Sequence, residues 1–358
     1  MPLSNNSKQV NFSEAVLNWF QDHGRKNLPW QLNPNPYRVW VSEIMLQQTQ
    51  VATVIPYYEN FMQSFPEVKK LALADEDKVL HHWTGLGYYA RARNLHKTAK
   101  LIYDKSQGVF PDTLEELVDL PGIGRSTAGA ILALADDKHA VILDGNVKRV
   151  LCRYHCVEGW SGQSSTQKQL WELATKHTPV NNCRSYTQAM MDLGATLCTR
   201  SKPSCSTCPL QHACQAHLSQ RTSEFPHKKP RKKLPVKVTQ MLILQSKNGT
   251  KVLLEKRPPH GIWGSLWSFP EIQVNTSISN FLQNYGFIAQ DEIISWNSMR
   301  HTFSHFHLDI KPQVLRLEKE PAMLMEKHDW HWYDLKSPKQ LGLAAPVKAL
   351  LKKLGNQS

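Results

Sequence analysis

Four cysteines near the middle of this 358-residue chain, Cys198, Cys205, Cys208 and Cys214, follow the spacing C-x6-C-x2-C-x5-C. Four thiolates on one compact, proline-broken loop suit either a structural zinc ion or an iron–sulfur cluster. Zinc spacing usually sets two short pairs far apart, whereas here all four ligands share one short loop. That favours a cubane [4Fe-4S] cluster and keeps zinc as the alternative. The other cysteines, Cys152, Cys156 and Cys183, fall in helical patterns, as ordinary core thiols do. Within the first interval, Thr199-Arg-Ser-Lys202 places cations beside the cluster, where they suit a polyanion's backbone.

Two carboxylates are candidates for acid–base work. Glu43 lies in Val41-Ser-Glu-Ile-Met-Leu-Gln-Gln-Thr-Gln50, with Trp40 and Gln47 on the same helix face at i−3 and i+4. Asp144 lies in Val141-Ile-Leu-Asp-Gly-Asn146, just before the helical stretch Val147–Leu151. Taken singly, the first reads as a surface charge and the second as an N-cap. Upstream of Asp144 is Leu120-Pro-Gly-Ile-Gly-Arg-Ser-Thr127, between two helical patterns. Gly122 and Gly124 admit positive φ and close backbone approach, and the next helix offers unsatisfied N–H groups, so this turn is a candidate anion nest. A lone G-x-G is most often only a turn.

Helices must carry most of these residues. From Asn11, a usable N-cap ahead of Phe12–Phe20, to about residue 220, apolar positions recur at helical spacing. The spacing predicts helices at Tyr37–Tyr58, Pro66–Leu73, Glu76–Thr84, Ala90–Tyr103, Leu114–Leu120, Ser126–Ala135 and Asn146–Tyr154. Then Phe225-Pro-His-Lys-Lys-Pro-Arg-Lys-Lys-Leu-Pro235 packs three prolines and five basic residues into eleven positions, an extended linker that is either a solvated tether or one lying against phosphate. Beyond it strands dominate. Val236–Leu244 and Val252–Lys256 flank an Asn248-Gly249 hairpin turn, Leu266–Phe269 and Thr302–Leu317 read as further strands, and Ser277–Tyr285 and Pro346–Leu354 as helices.

Composition narrows the partners. Lys and Arg number 43 against 30 Asp and Glu, a formal charge of +13 that points to nucleic acid or an anionic membrane surface. No apolar run approaches the roughly 18 residues of a membrane span. The polar stretch Met1–Val10 has no signal-peptide core, so a reducing, cytoplasmic setting is expected, in which cysteines serve as ligands or free thiols.

The hairpin, the aspartate and the cysteine loop, in this order and spacing, resemble the helix–hairpin–helix DNA glycosylase superfamily, in its iron–sulfur branch. The resemblance implies an all-α helix–hairpin–helix glycosylase domain with a [4Fe-4S] loop at 198–214, spanning residues 1–224. A basic linker at 225–235 and an α+β Nudix-like domain at 236–358 would follow. Where lyase members carry a nucleophilic lysine after the Gly-x-Gly-Arg run, this chain has Ser126, which cannot form a Schiff base. Val41–Gln50, Trp83-Thr-Gly-Leu-Gly-Tyr-Tyr-Ala-Arg-Ala-Arg93 and Gln188-Ala-Met-Met-Asp-Leu-Gly-Ala195 are similar to the adenine-excising members, and the likeness covers essentially the whole chain.

By that resemblance the enzyme is a monomeric, monofunctional glycosylase acting on adenine opposite 8-oxoguanine or guanine in duplex DNA, with no membrane partner. Glu43 would be the acid and Asp144 the carboxylate that stabilises the sugar cation. Gln48 and Tyr88 would wedge into the stack, Trp30 and Gln188 line the adenine pocket, and Thr49 and Leu86 touch the opposing purine. Gly122, Gly124, Ser126, Lys148 and Arg149 would meet the DNA backbone. Phe303, Ser304 and His305, within His301-Thr-Phe-Ser-His-Phe-His307, would test the 8-oxo face of the opposing base. Arg257-Pro-Pro-His-Gly-Ile-Trp-Gly-Ser-Leu-Trp-Ser-Phe-Pro270 is similar to the start of a Nudix fold, but no R-E-x-x-E-E box follows it, so the second domain is expected to recognise rather than hydrolyse. Alternation on a strand would place His301, His305 and His307 together with no carboxylate or cysteine partner, and metal binding there is not expected. Ser126 disfavours a lyase acting on oxidised pyrimidines, the carboxylate pair disfavours a non-catalytic DNA-binding module, and the missing acidic box disfavours a hydrolase of free nucleotides.

Overall fold

The computed structural model describes residues 11–230, 233–319 and 329–356. The stretch Met1–Val10 and the linker positions Arg231 and Lys232, on which two expectations above partly rest, lie outside those residues. Helices come first: α1 Phe12–His23, α2 Pro36–Leu46, α3 Val51–Ser64, α4 Val68–Ala72, α5 Glu76–His82, α6 Ala90–Ser106 and α7 Leu114–Val118. They continue with α8 Arg125–Asp136, α9 Gly145–Tyr154, α10 Ser164–His177, α11 Cys183–Asp192 and α12 Gln215–Leu218. Among the described residues no helix is long and apolar enough to cross a membrane.

Local chemistry sets the helix starts. The Asn11 side chain accepts the Ser13 N–H at 3.3 Å to open α1, as its residue type predicts. Along α8 every residue from Ala128 to Ala135 is buried, making it a central helix of its unit. Its small residues let neighbours come close: a Cβ on Gly129 would lie 2.3 Å from the Val141 carbonyl oxygen. The segment leading to Asp144 can therefore lie directly against α8.

The single helix expected over Tyr37–Tyr58 is two. α2 ends at Leu46, α3 begins at Val51, and Gln48 between them has φ +59°. Apolar spacing runs on across the break, but Gln47-Gln-Thr-Gln50 has no fully buried member, so turning there sacrifices no core.

Among the described residues the strands are β1 Val236–Gln245, β2 Lys251–Lys256, β3 Trp267–Ser268, β4 Glu271–Ile272, β5 Ile294–Ser295, β6 Met299–Thr302, β7 His307–Arg316 and β8 Trp330–Asp334, with helices α13 Ile278–Asn284 and α14 Ala345–Gly355. They form one mixed sheet of order β3-β2-β1-β7-β5, with β4 on β1, β6 on β7 and β8 on β2. β1 and β7 are parallel, from Val236 opposite His307 to Gln245 opposite Arg316. The Asn248-Gly249 turn is present, with Gly249 at φ +72° and Asn248 Oδ1 accepting the Thr250 N–H at 3.1 Å. The strand expected over Thr302–Leu317 is interrupted: Phe303 N–H donates to the Phe306 carbonyl at 2.9 Å, closing a turn between β6 and β7. Burial slips by one residue across this turn, with odd positions 299–303 the more buried before it and even positions 306–310 after it, and the mixed polar and aromatic residues of His301–His307 do not show that slip in sequence.

Contacts divide the chain into two compact units, and the division is not sequential. One unit takes the chain up to Ala72 and from Lys97 to the linker, while Leu73–His96 folds with the carboxy-terminal part. The domain limits read from sequence assign Leu73–His96 to the helical part instead. Polar anchors account for the grouping seen here. The Tyr89 hydroxyl donates to the Leu343 carbonyl at 2.8 Å, Arg93 Nη1 donates to the Gly264 carbonyl at 2.7 Å, and Asp77 pairs with Lys256 at 3.2 Å. Such partners, far apart in sequence, leave no periodic trace. The start of the linker is tied to the helical unit, His227 reaching Glu158 at 3.0 Å and Lys229 lying 5.1 Å above the Trp160 ring.

Candidate active site

Within the helical unit α2 presents Glu43 and the N-cap of α9 presents Asp144. Each remains partly accessible as a residue, yet the carboxyl groups are strongly desolvated. Burial, with the Asp144 charge adding to it, pushes the Glu43 carboxyl up to about 8. Asp144 is raised by burial too, but four influences pull against that: the Val147 N–H, the Asn146 side chain and N–H, and the Arg149 cation. Its Oδ1 accepts Val147 N–H at 2.7 Å and its Oδ2 accepts Asn146 Nδ2 at 3.1 Å. Two interacting carboxyls in one site hold their protons as a pair. The donors around Asp144 favour its charged form, whereas burial and the Asp144 charge both favour the protonated form of Glu43.

A cavity of about 190 Å³ in the same unit is lined by Trp30, Gln31, Val39, Ser42, Arg25 and Gln188, among others. Trp30, 5% exposed, is held edge-on to Tyr58 with ring centroids 5.5 Å apart. Gln188 on α11 donates through Nε2 to Asp192 Oδ1 at 2.8 Å, and Asp192 is bound in turn by Arg25. The two pocket residues named from sequence thus line one cavity; Ser42, the residue before Glu43, lines it too, while Glu43 and Asp144 are not among its lining residues. Gln48 and Thr49 occupy the α2–α3 turn, Gln48 exposed and Thr49 half-buried.

The hairpin before α8 departs from expectation in one respect. Gly122 has φ +81°, but Gly124, the N-cap of α8, has φ −90° and needs no glycine for its conformation. A Cβ there would meet nothing within 4 Å, so the constraint on Gly124 would come from outside the protein. Ser126 points inward: its Oγ accepts the Leu143 N–H at 3.0 Å, tying α8 to the residue before Asp144. Lys148 is half-buried, and no ion pair to it occurs among the described residues. Arg149, placed at the DNA backbone by sequence, is engaged within the protein instead. Its Nε donates to the Cys198 carbonyl at 2.6 Å, and its Nη2 donates to the Gly194 carbonyl at 2.6 Å and to Asn146 Oδ1 at 2.8 Å. It therefore ties the Asp144 cap to the start of the cysteine loop.

That loop brings Cys198, Cys205, Cys208 and Cys214 to the wall of one small pocket, and none is in a disulfide. Arg153, 2% exposed, holds the loop through Thr199 O at 2.7 Å and Arg200 O at 3.1 Å and reaches Cys198 Sγ at 3.3 Å. Burial and the neighbouring sulfurs push the Cys208 thiol up to about 12. Four thiolates cannot share this space without positive charge between them, so the donor set fits a cationic thiophilic centre. Among the described residues no three His, Cys, Asp or Glu side chains stand close enough to hold a single metal ion. Cys152 and Cys183 are buried, as expected of core thiols, whereas Cys156 is half-buried.

In the carboxy-terminal unit, Leu86 and Tyr88 sit on a loop with Gly85 at φ +112° and Gly87 at φ +72°. Leu86 is buried and Tyr88 is 50% exposed. The β6–β7 turn exposes Ser304 and His305 at its tip. Behind them Phe303 stacks on Phe306 at 4.6 Å and contacts Trp263 at 5.6 Å. His301, His305 and His307 fall on β6, on the turn and on β7.

Sequence reasoning missed Arg25, Asn146, Arg153 and Asp192. The visible signal for Asp192 was a charge within the apolar stretch Ala189-Met-Met-Asp-Leu193, four residues after Gln188. Comparison with known proteins agrees with the two-part architecture. Residues 41–176 match the HhH-GPD superfamily of base excision DNA repair proteins and residues 240–353 match the NUDIX domain. Over 340 residues the chain is 42% identical to the adenine DNA glycosylase of Buchnera aphidicola subsp. Acyrthosiphon pisum, covering 95% of this chain and 96% of that protein. It is 34% identical to the Homo sapiens adenine DNA glycosylase over 367 residues, covering 86% of this chain and 67% of that protein. Among solved structures, a thermostable thymine-DNA glycosylase superposes with TM-score 0.52 at 27% identity, over 58% of this chain and 95% of that one.

Proposed function

Since the chain belongs to the adenine DNA glycosylases of the HhH-GPD base excision repair superfamily, we propose that Glu43 and Asp144 divide the work of hydrolysing the N-glycosidic bond. The enzyme removes adenine from DNA, initiating base excision repair. The observation that carries the division of labour is the unequal surroundings of the two carboxyls. Asp144 has N–H donors and a nearby guanidinium; Glu43 has burial and a like charge.

Adenine leaves poorly unless protonated. Glu43, still protonated at neutral pH, delivers its proton to adenine N7. As the bond breaks, positive charge grows on the sugar, and the Asp144 carboxylate, aimed by the α9 cap, stabilises it. Water then adds to the sugar, leaving an abasic site. This is the acid-plus-carboxylate arrangement of glycoside hydrolysis. The adenine is extruded into the cavity of Trp30 and Gln188, at a cost of a few kcal/mol that is smaller at a mispair. Gln48 and Tyr88 fill the stack it leaves, and Thr49 and Leu86 contact the opposing purine. The Gly122–Gly124 turn and Lys148 face phosphates, while Ser126, turned inward to Leu143, and Arg149 hold the Asp144 segment from within.

The preferred substrate is adenine opposite 8-oxoguanine, with guanine the weaker opposing base. Ser304 and His305 are exposed on a turn braced by Phe303, and the 8-oxo base offers an N7–H donor where guanine has an acceptor. A Ser304→Ala, His305→Ala double variant is expected to narrow the 8-oxoguanine-over-guanine preference about tenfold, as loss of hydrogen-bond readout implies. Single-turnover rates on the two duplexes measure this, and an unchanged ratio would remove the sensing role.

Cys198, Cys205, Cys208 and Cys214 hold a [4Fe-4S] cluster. When bound, it supplies the positive core that lets four buried thiolates coexist and pins the loop that Arg149 and Arg153 attach to α9. A Cys208→Ser variant is expected to lose the brown absorbance and the bound iron and sulfide. Full zinc occupancy with no sulfide in the parent protein would instead identify a zinc site.

A further inference from the structure

Asp192 is completely buried on α11, one helical turn beyond Gln188, and both of its oxygens are taken. Oδ2 accepts the Arg25 main-chain N–H at 2.7 Å; Oδ1 accepts Arg25 Nε at 2.9 Å, Arg25 Nη2 at 2.6 Å and Gln188 Nε2 at 2.8 Å. Paired with a guanidinium, the carboxylate has no proton to give, so only the NH2 end of the Gln188 amide can face it. The amide's two ends are thereby made unequal. Its nitrogen is held by Asp192, while its oxygen has no hydrogen bond among the described residues, and the side chain lines the cavity with Trp30 and Ser42. An oxygen offered to a purine accepts from a 6-amino group but opposes a 6-oxo group.

We propose that Arg25 and Asp192 are positioning residues that lock the Gln188 amide in one orientation and so make the pocket accept adenine and reject 6-oxopurines. The inference rests on the reading of this cavity as the base pocket. It extends that reading by assigning the selectivity to a buried ion pair behind the pocket wall rather than to Gln188 alone. A freely rotating glutamine could satisfy either purine by turning over; a glutamine held by an acceptor-only partner cannot. Sites built to pair one substrate group reject analogues that leave the pairing unmade far more strongly than apolar pockets reject a change of size.

The test compares single-turnover excision of adenine, hypoxanthine and unsubstituted purine, each opposite 8-oxoguanine, by the full iron-loaded chain. In Asp192→Ala the acceptor that holds the Gln188 nitrogen is gone, and that amide is free to turn over. The adenine-to-hypoxanthine rate ratio is expected to fall by about 100-fold, with purine, which has no group at position 6, changed least. Arg25→Lys keeps the charge but loses the fork, and should shift the ratio the same way by about tenfold; it serves if Asp192→Ala does not fold. Placed in a Gln188→Ala background, Asp192→Ala should leave the ratio where Gln188→Ala alone puts it. Equal loss on all three bases with an unchanged ratio in both variants would make the ion pair a structural brace and overturn the proposal. If Gln188→Ala alone leaves both the adenine rate and the ratio unaltered, the failure lies instead with the base-pocket reading.

Discussion

Glu43→Gln is expected to lower adenine excision by about 10³-fold or more, the upper range for loss of a positioned general acid, while duplex affinity stays at the parent's value. Gln keeps the shape and hydrogen-bonding capacity of the side chain but cannot deliver a proton to N7. A second signature separates this from a structural effect. Burial and the Asp144 charge push the Glu43 carboxyl up to about 8, so the parent's excision rate should fall as pH rises through about 8, roughly tenfold per unit beyond it. The variant's residual rate should show no such limb. Stability carries the opposite sign. With the folded pKa above the unfolded value, Glu43 costs the parent nothing at acid pH. It costs progressively more between the unfolded value and about 8, where the unfolded chain releases the proton and the folded chain retains it. The Gln variant should therefore melt higher than the parent at neutral pH, with the gap closing in acid. Loss of binding in step with activity, or a lower melting temperature, would make Glu43 a structural residue.

Asp144→Asn is expected to lower excision by about 10²- to 10³-fold, the usual consequence of removing one preorganised charge-stabilising group. Asn caps helices as well as Asp, and its side-chain oxygen can still accept the Val147 N–H that Asp144 takes at 2.7 Å. The fold should therefore survive the change with its melting temperature little altered, and the deficit should appear in the bond-breaking step under single-turnover conditions. The same substitution removes the like charge that raises Glu43, so any residual activity should lose its alkaline limb at a lower pH than the parent. A variant that loses melting temperature and rate together, and recovers its rate in stabilising solutes, would show Asp144 acting only as a cap.

The two carboxylates, the hairpin and the cysteine loop were legible in the sequence because each is a short motif read along the chain. What escaped was whatever the fold brings together from a distance. Arg25 meets Asp192 across 167 positions; Arg25 is one charge in the polar stretch Gln21–Asn27, and Asp192 shows only a charge among apolar neighbours. Arg149 shows the same limit from the other side. Its position beside Asp144 suggested a phosphate ligand, and only the folded chain reveals that Gly194 and Cys198 already take its donors. Apolar spacing foresaw the α8 core, where burial is continuous from Ala128 to Ala135. It merged α2 with α3, because apolar spacing runs on across a short polar turn, and β6 with β7, because the mixed residues of the turn hide the one-residue slip in burial between them. The grouping of Leu73–His96 with the carboxy-terminal part escaped for a related reason: helical periodicity reports that α5 buries a face, not what covers it.

The central claim is that this site hydrolyses the bond to adenine and does not cleave the strand. The most direct test uses end-labelled duplexes carrying adenine opposite 8-oxoguanine, incubated with the iron-loaded protein and then divided, half heated in alkali and half left untreated. The account predicts cleavage of the adenine strand only in the alkali-treated half, with free adenine released in equal amount. Strand cleavage without alkali, trapped as a covalent adduct by borohydride, would contradict it, since Ser126 has no amine with which to form one.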